Sequence, residues 1–209
     1  MTYRSPVITL FACTVALGFW AAGATVGAAR QDATPASLTL ASGRVSIAGT
    51  SNIHPYTAST TTIRIVRAKL AGSAAGPTLA EDVLRPGAIE VFEIAIPVRS
   101  LTSPKEGIDK NMHKALNVAE HHDITFRLTK LEHAGAAGTL RAVGVLGIAG
   151  VEREVALSLT THGDALTVTV NGELQLLMTD FGITPPKALM GMLKTDPKVT
   201  VTFETVLAR

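Results

Sequence analysis

Apolar and polar residues alternate along most of the chain after residue 37. Between Val155 and Leu176 apolar residues occupy every second position, and the alternation is interrupted by a His-Gly-Asp break at residues 162–164. A period of two is typical of a strand that buries one face and leaves the other in water. The stretch is therefore predicted to be an antiparallel hairpin with one apolar face.

The same alternation recurs along the chain and predicts about eight strands. Regularly spaced strands of this kind indicate a sandwich or a barrel, and long strands joined by short turns favour closure, because a closed sheet has no exposed edge. The predicted fold is an all-β, eight-stranded antiparallel barrel forming one domain over residues 38–209. Its strands are expected at Leu38–Ala48, Tyr56–Leu70, Phe92–Ile96, Ile124–Thr129, Gly138–Ala149, Val155–Thr160, Leu166–Leu176 and Val199–Glu204.

Two segments depart from the period of two and are predicted to be short helices. Lys105–Leu116 carries Ile108, Met112 and Leu116 at four-residue spacing, which gives a helix with one apolar stripe. Thr184–Leu193 has prolines at its start, where a helix tolerates them, and apolar residues on one side. In a small barrel such helices can only cap or flank an opening at the barrel ends.

The stretch Ser42–Thr60 contains the only His-Pro-Tyr of the chain. Gly49 is interpreted as the end of the first strand, and Pro55 disfavours helical geometry at His54. The stretch is therefore predicted to be a strand, a bend and the start of a second strand. His54 and Tyr56 flank that bend as an amphipathic pair. His54 is a turn residue or a group that faces the barrel mouth and touches a ligand's polar end.

The first residues have the pattern of a targeting sequence. Residues 1–29 combine Arg4, a long uncharged run and small residues before Ala29, which predicts a cleaved secretory signal peptide followed by a tether at 30–37. A retained membrane anchor is the alternative, because the uncharged run is long enough to span. Cleavage would remove the only cysteine, Cys13, and the only tryptophan, Trp20, so no disulfide would remain in the exported protein.

Charge excludes two classes of partner. After Ala29 the chain has 18 Lys and Arg against 17 Asp and Glu, and no run of like charge remains. Nucleic acid and stable membrane insertion after cleavage are therefore not expected. The predicted location is the periplasm or the outside of the cell, and the expected state is a monomer or a weak homodimer.

Candidate catalytic chemistry is sparse. His113, His121 and His122 lie near Glu120 and Asp123, but adjacent histidines at a strand entrance should point to opposite sides, which disfavours a shared metal. A polar loop between helix and strand is the simpler interpretation. The chain has no G-x-S-x-G, no P-loop and no G-x-G-x-x-G. No enzymatic activity, no catalytic residue, no metal and no cofactor are predicted.

The inward faces of the predicted strands are mostly Val, Ile and Leu. An eight-stranded barrel is either just filled by its own side chains or able to hold one small ligand. Such a lining suits an aliphatic guest, but the same residues could also form a solid core. Composition alone leaves both possibilities open.

Four segments in a fixed order cover nearly all of the chain after the leader. The segments are VSIAGTSNIHPYTAS (Val45–Ser59), IDKNMHKALNVAEHHDITFRL (Ile108–Leu128), GVLGIAGVEREVALSL (Gly144–Leu159) and TDFGITPPKALMGMLKTDPKVTVTF (Thr179–Phe203). Together they resemble the YceI family of exported lipid-binding β-barrels, whose motifs they follow in sequence.

The resemblance implies a lipocalin-like barrel, and some members of that family hold a polyisoprenoid or quinone-like lipid inside it. Two positions depart from the family pattern. Pro55-Tyr56 stands where related sequences commonly have Asp-Trp, and His122 replaces the usual Pro before the Ile-Thr-Phe strand.

We therefore expect a non-enzymatic carrier or binder of an amphiphilic isoprenoid, quinone-like or fatty-chain lipid. The alternative is a solid-cored barrel that recognises a protein of the cell envelope, and a minor metal-dependent activity at His113 and His121 is a third possibility. The residues expected to line the interior are Phe92, Ile94, Ile96, Leu157, Leu159, Val168 and Val170, and those expected at the mouth are His54, Tyr56, Met178, Phe181, Met190 and Leu193.

Overall fold

The structure of the chain is a computed structural model that describes residues 38–71, 78–85, 87–135, 138–188 and 192–208. The predicted signal peptide at 1–29 and the tether at 30–37 lie outside these ranges. Within them, no helix is long and apolar enough to cross a bilayer.

The described chain is built mainly from antiparallel strands. Two α-helices and two single 3₁₀ turns, Val98–Ser100 and Met178–Phe181, complete the regular structure. The elements in chain order are β1 Thr39–Ser51, β2 Pro55–Thr60, β3 Arg64–Leu70, α1 Leu79–Leu84, β4 Ile89–Pro97, α2 Glu106–Ala115, β5 Asp123–His133, β6 Thr139–Ile148, β7 Val151–Gly163, β8 Thr167–Leu177, β9 Lys187–Ala188 and β10 Leu193–Ala208.

The strands form a single sheet with the order β2-β1-β10-β8-β7-β6-β5-β4-β3, and β9 pairs with β10 outside that path. The first and last strands of the path are the two halves of one segment, because β2 runs into β3 through residues 61–63. Thr102 further exchanges two backbone hydrogen bonds with Ser59, of 2.8 and 3.0 Å, along the free edge of β2. The sheet thus curls round so that one kinked strand joins its two ends.

The predicted all-β, antiparallel, lipocalin-like fold is confirmed. Counting β2 and β3 as one kinked strand, and setting aside the two-residue β9, each of the eight predicted strands corresponds to an observed one. The predicted continuous strand Tyr56–Leu70 is wrong at residues 61–63. Thr61 and Thr62 favour extended structure, so composition gives no sign of a kink there.

Two further sequence interpretations are corrected. Gly49 does not end the first strand: it lies inside β1, opposite Val199 of β10 and Tyr56 of β2. The helix predicted at Thr184–Leu193 is wrong wherever the chain is described there, because Lys187 and Ala188 form β9 against the start of β10. The pairing of β9 with β10 uses the backbone groups that a helix would need.

The helix α1 was not predicted from the sequence. Thr78 caps it by accepting a 3.1 Å hydrogen bond from the Glu81 backbone N–H. The apolar residues Leu79 and Val83 are buried against Leu38, Leu70, Val168 and Leu207. This helix therefore closes one end of the barrel, which we call the α1 end.

Candidate functional site

The barrel encloses a cavity of about 580 Å³. That volume lies within the range of about 300–1,000 Å³ that is typical of small-molecule sites. The interior of the described chain is therefore hollow, whereas the alternative interpretation required a solid core.

The cavity wall follows the period of two that the sequence shows. In β10, seven of the eight alternate positions from Leu193 to Leu207 face the cavity, the exception being Pro197. Outward neighbours such as Lys194, Lys198 and Glu204 are exposed. All seven side chains expected to line the interior do face it: Phe92, Ile94, Ile96, Leu157, Leu159, Val168 and Val170. Whether they contact a ligand stays a prediction.

Three glycines occupy inward positions on the wall, and an aromatic ring from the neighbouring strand covers each one. A methyl group on Gly49 would collide with the ring of Tyr56, and one on Gly172 would collide with Phe203. The third pair is Gly144 and Phe126, where a methyl group on the glycine would lie only 2.5 Å from the ring. Each ring thus lies against the backbone of the next strand, which leaves the centre of the barrel open.

The two ends of the cavity differ. At the α1 end, Val83 and Leu84 form an apolar floor. At the opposite end, which we call the mouth, α2 presents Ile108, Met112 and Leu116 to the cavity, and none of the α2 residues is buried. The helix predicted at Lys105–Leu116 therefore exists and flanks an opening, although its apolar stripe was not proposed as part of the lining.

Two side chains tie α2 to the segment before it. His113 Nε2 lies 3.0 Å from the backbone oxygen of Leu101, and the Asp109 carboxylate accepts a 2.7 Å hydrogen bond from the Ser103 N–H. His113 is therefore engaged in positioning the helix.

The turn between β1 and β2 brings His54 to the mouth. The Ser51 N–H donates to the His54 backbone oxygen at 3.1 Å, and the Ser51 hydroxyl donates to the same oxygen at 2.8 Å. His54 lines the cavity, and its Nδ1 lies 3.1 Å from the Pro55 carbonyl. Because a carbonyl oxygen can only accept, Nδ1 carries a proton in this arrangement and Nε2 is the ring nitrogen that remains for other contacts.

Tyr56 lies on the same hairpin, opposite Gly49. Its ring lines the cavity, and its hydroxyl oxygen is buried with no hydrogen-bond partner among the described residues. Burial raises the pKa of the Tyr56 hydroxyl above its ordinary value, and the negative charge of Asp196 raises this pKa further. The hydroxyl therefore stays protonated and can donate a hydrogen bond.

The other residues expected at the mouth fall into three groups. Leu193 and Met178 line the cavity near its opening. Phe181 also lines it and is buried against Ile148 and Ile183. Met190 lies outside the described residues.

The predicted histidine cluster forms a separate, shallow cleft on the outside of the barrel. His121, His122, Glu120 and Asp123 line it together with Glu152. Across the ranges that the structure describes, no three His, Cys, Asp or Glu residues are placed to hold a metal ion. His113 lies apart from this cleft and bonds to Leu101, so the arrangement gives no support to a site shared by His113 and His121.

Comparison with known proteins identifies one family and several solved structures of the same fold. A family model described as a YceI-like domain matches residues 32–207, and no curated protein sequence matches the chain. Among solved structures, BcnA of Burkholderia cenocepacia is 16% identical and aligns with a TM-score of 0.62, covering 78% of this chain and 95% of that one.

Two further structures have the same architecture. A polyisoprenoid-binding domain from Saccharophagus degradans, implicated in plant cell wall breakdown, is 13% identical with a TM-score of 0.58, covering 82% of this chain and 98% of the domain. The YceI protein of Campylobacter jejuni is 14% identical with a TM-score of 0.50, covering 69% and 82%. At these identities the likeness shows a shared fold.

Proposed function

The chain belongs to the family defined by the YceI-like domain, and from this premise we propose that it binds an amphiphilic isoprenoid, quinone-like or fatty-chain lipid inside its barrel without changing it chemically. The proposed location is the periplasm or the outside of the cell, and the proposed state is a monomer or weak homodimer. The polyisoprenoid-binding domain that has the same fold supports the choice of ligand class.

The observation that carries the proposal is the apolar cavity of about 580 Å³. Burial contributes about 0.8 kcal/mol for each CH₂ group. A chain of three or four isoprene units offers enough apolar surface to reach the roughly 8 kcal/mol of a micromolar complex after the cost of association has been met. The cavity can therefore bind such a chain mainly by removing it from water.

The first test replaces a valine on the cavity wall by tryptophan. Val170 faces the cavity between Val168 and Gly172, so an indole there would occupy space needed by the ligand. Displacing even two CH₂ groups should weaken binding at least tenfold at about 0.8 kcal/mol each. Isothermal titration calorimetry of delipidated protein with geranylgeraniol measures the change.

The same substitution on the outside of the barrel is the matched control. Val66 in β3 is 57% exposed and does not line the cavity. Val66→Trp should bind geranylgeraniol as the unmodified protein does. Equal affinities for all three proteins, or no saturable binding by the unmodified protein, would refute binding inside the barrel.

A further inference from the structure

The Tyr56 hydroxyl differs from several other hydroxyl groups that line the cavity. Three other hydroxyl groups that line it are already bonded to backbone oxygens: Ser51 to His54 at 2.8 Å, Thr161 to Gly138 at 3.2 Å and Thr205 to Val170 at 3.4 Å. Among the described residues, the Tyr56 oxygen is the one buried side-chain N or O atom that has no hydrogen-bond partner. A buried hydroxyl without a partner is costly, and its presence in a native site calls for an explanation.

The position of this hydroxyl is closely defined by the strand opposite. Tyr56 pairs with Gly49 across the β1–β2 ladder, and the phenol lies where a side chain at Gly49 would otherwise be. In this structure the hydroxyl oxygen is covered where it lies on Gly49, so a ligand oxygen reaches it only when the ring turns from Gly49 into the cavity.

The chemistry of the group limits what it can recognise. Asp196 lies close enough for its negative charge to act on the phenol, and it is itself fixed by a 2.8 Å hydrogen bond from the Lys198 N–H. A protonated phenol beside a carboxylate is suited to donating a hydrogen bond to a neutral oxygen. An anionic group at the same place would be repelled by Asp196.

We propose that the Tyr56 hydroxyl donates a hydrogen bond to an uncharged acceptor oxygen, such as an alcohol or a carbonyl, at the polar end of the lipid held in the cavity. This inference rests on the proposed function, since it presupposes that the cavity takes a lipid chain. It places the polar end of the ligand at the mouth and its apolar chain toward the α1 end. Tyr56 thereby becomes a residue that selects among lipids of equal length.

The test compares two ligands that share a fifteen-carbon skeleton. Farnesol carries a hydroxyl group at its end, and farnesene is the corresponding hydrocarbon without it. Tyr56→Phe should weaken the binding of farnesol about fivefold, the size of one net hydrogen bond, and leave the binding of farnesene unchanged. Competition against an uncharged fluorescent polyene gives both dissociation constants under the same conditions.

Thr205→Val is the matched control. It also removes a hydroxyl from the cavity lining, but one that already bonds to the protein. It should therefore leave the preference for farnesol over farnesene unaltered. If Tyr56→Phe changes that preference no more than Thr205→Val does, the inference is wrong.

The outcomes separate this inference from the function on which it rests. If the unmodified protein binds neither compound, lipid binding itself fails. If it binds both and Tyr56→Phe weakens neither, the cavity takes lipids but Tyr56 does not choose among them.

The stability of the ligand-free protein provides a second readout. Removing a hydroxyl that has no partner should leave the melting temperature unchanged or raise it. A melting temperature of Tyr56→Phe several degrees below that of the unmodified protein would show that the hydroxyl already has a partner in the protein, which contradicts the proposal.

Discussion

Single residues decide how much space remains inside this barrel. Gly49, Gly144 and Gly172 stand at inward positions where the neighbouring inward residues of their strands are larger, and the rings of Tyr56, Phe126 and Phe203 lie across them. A ring that lies flat on the wall occupies less of the centre than one that points across it. Packing aromatic rings on cross-strand glycines also shields the glycine backbone from solvent.

The Gly49–Tyr56 pair leads to a stability prediction. Gly49→Ala places a methyl group against the Tyr56 ring and should destabilise the fold by roughly 1–3 kcal/mol, the usual cost of overpacking. Gly107→Ala, in α2, meets no atom within 4 Å. It should stabilise the fold by about 0.5–1 kcal/mol, because alanine restricts the unfolded chain and favours helix.

Urea unfolding followed by circular dichroism measures both glycine variants. Opposite signs are expected for the two substitutions. A Gly49→Ala protein as stable as the Gly107→Ala protein would mean that the Tyr56 ring does not rest on Gly49.

At the scale of elements, the turn between β7 and β8 depends on one carboxylate. Asp164 accepts 2.8 Å hydrogen bonds from the backbone N–H groups of Leu166 and Thr167, and these bonds hold the pKa of Asp164 below its ordinary value of 3.8. A carboxylate whose pKa is lowered by folding stabilises the fold above its unfolded pKa. That contribution is lost as the pH falls through the folded pKa.

We therefore expect Asp164→Ala to lower the free energy of unfolding at neutral pH, and the difference from the unmodified protein to shrink as the pH falls below about 3.8. Asp164→Asn also lacks the titrating carboxylate but keeps an acceptor oxygen, so its difference from the unmodified protein should be smaller at neutral pH and should shrink over the same pH range. Urea unfolding at a series of pH values measures all three. A difference that does not change with pH would contradict the assigned role of the charge.

The elements also show which parts of the fold the sequence could predict. Every long strand was predicted from its alternation. Residues that face the cavity must be apolar, whereas their neighbours that face water can be polar. Helix α2 was predicted from Ile108, Met112 and Leu116 for the same kind of reason. Helix α1 was missed since it has only six residues, although the Thr78–Glu81 spacing of a capping box was a usable signal.

The error at Thr184–Leu193 has a related cause. Leu193 is apolar because it is an inward residue of β10, and in a short segment this cannot be told from one side of a helix. Local sequence patterns also could not predict the glycine–aromatic pairs, because each pair joins two strands whose register is set by the whole sheet. Only Gly49 and Tyr56 lie close enough in sequence for a hairpin prediction to have paired them.

The described barrel depends on a curled wall around an unfilled centre. One kinked strand, β2 and β3, joins the two ends of the sheet, α1 closes one end, and α2 covers part of the other with side chains that are not buried. Such an arrangement leaves apolar surface without protein partners inside the fold. Burial of a lipid chain there would remove that surface from water.

Native mass spectrometry of the delipidated protein, titrated with geranylgeraniol, asks whether the barrel holds a single lipid. We expect one ligand for each chain, with an adduct that saturates and is much weaker in the Val170→Trp protein. No adduct, or a series of adducts that never saturates and is the same in Val170→Trp, would contradict a single lipid site inside the barrel.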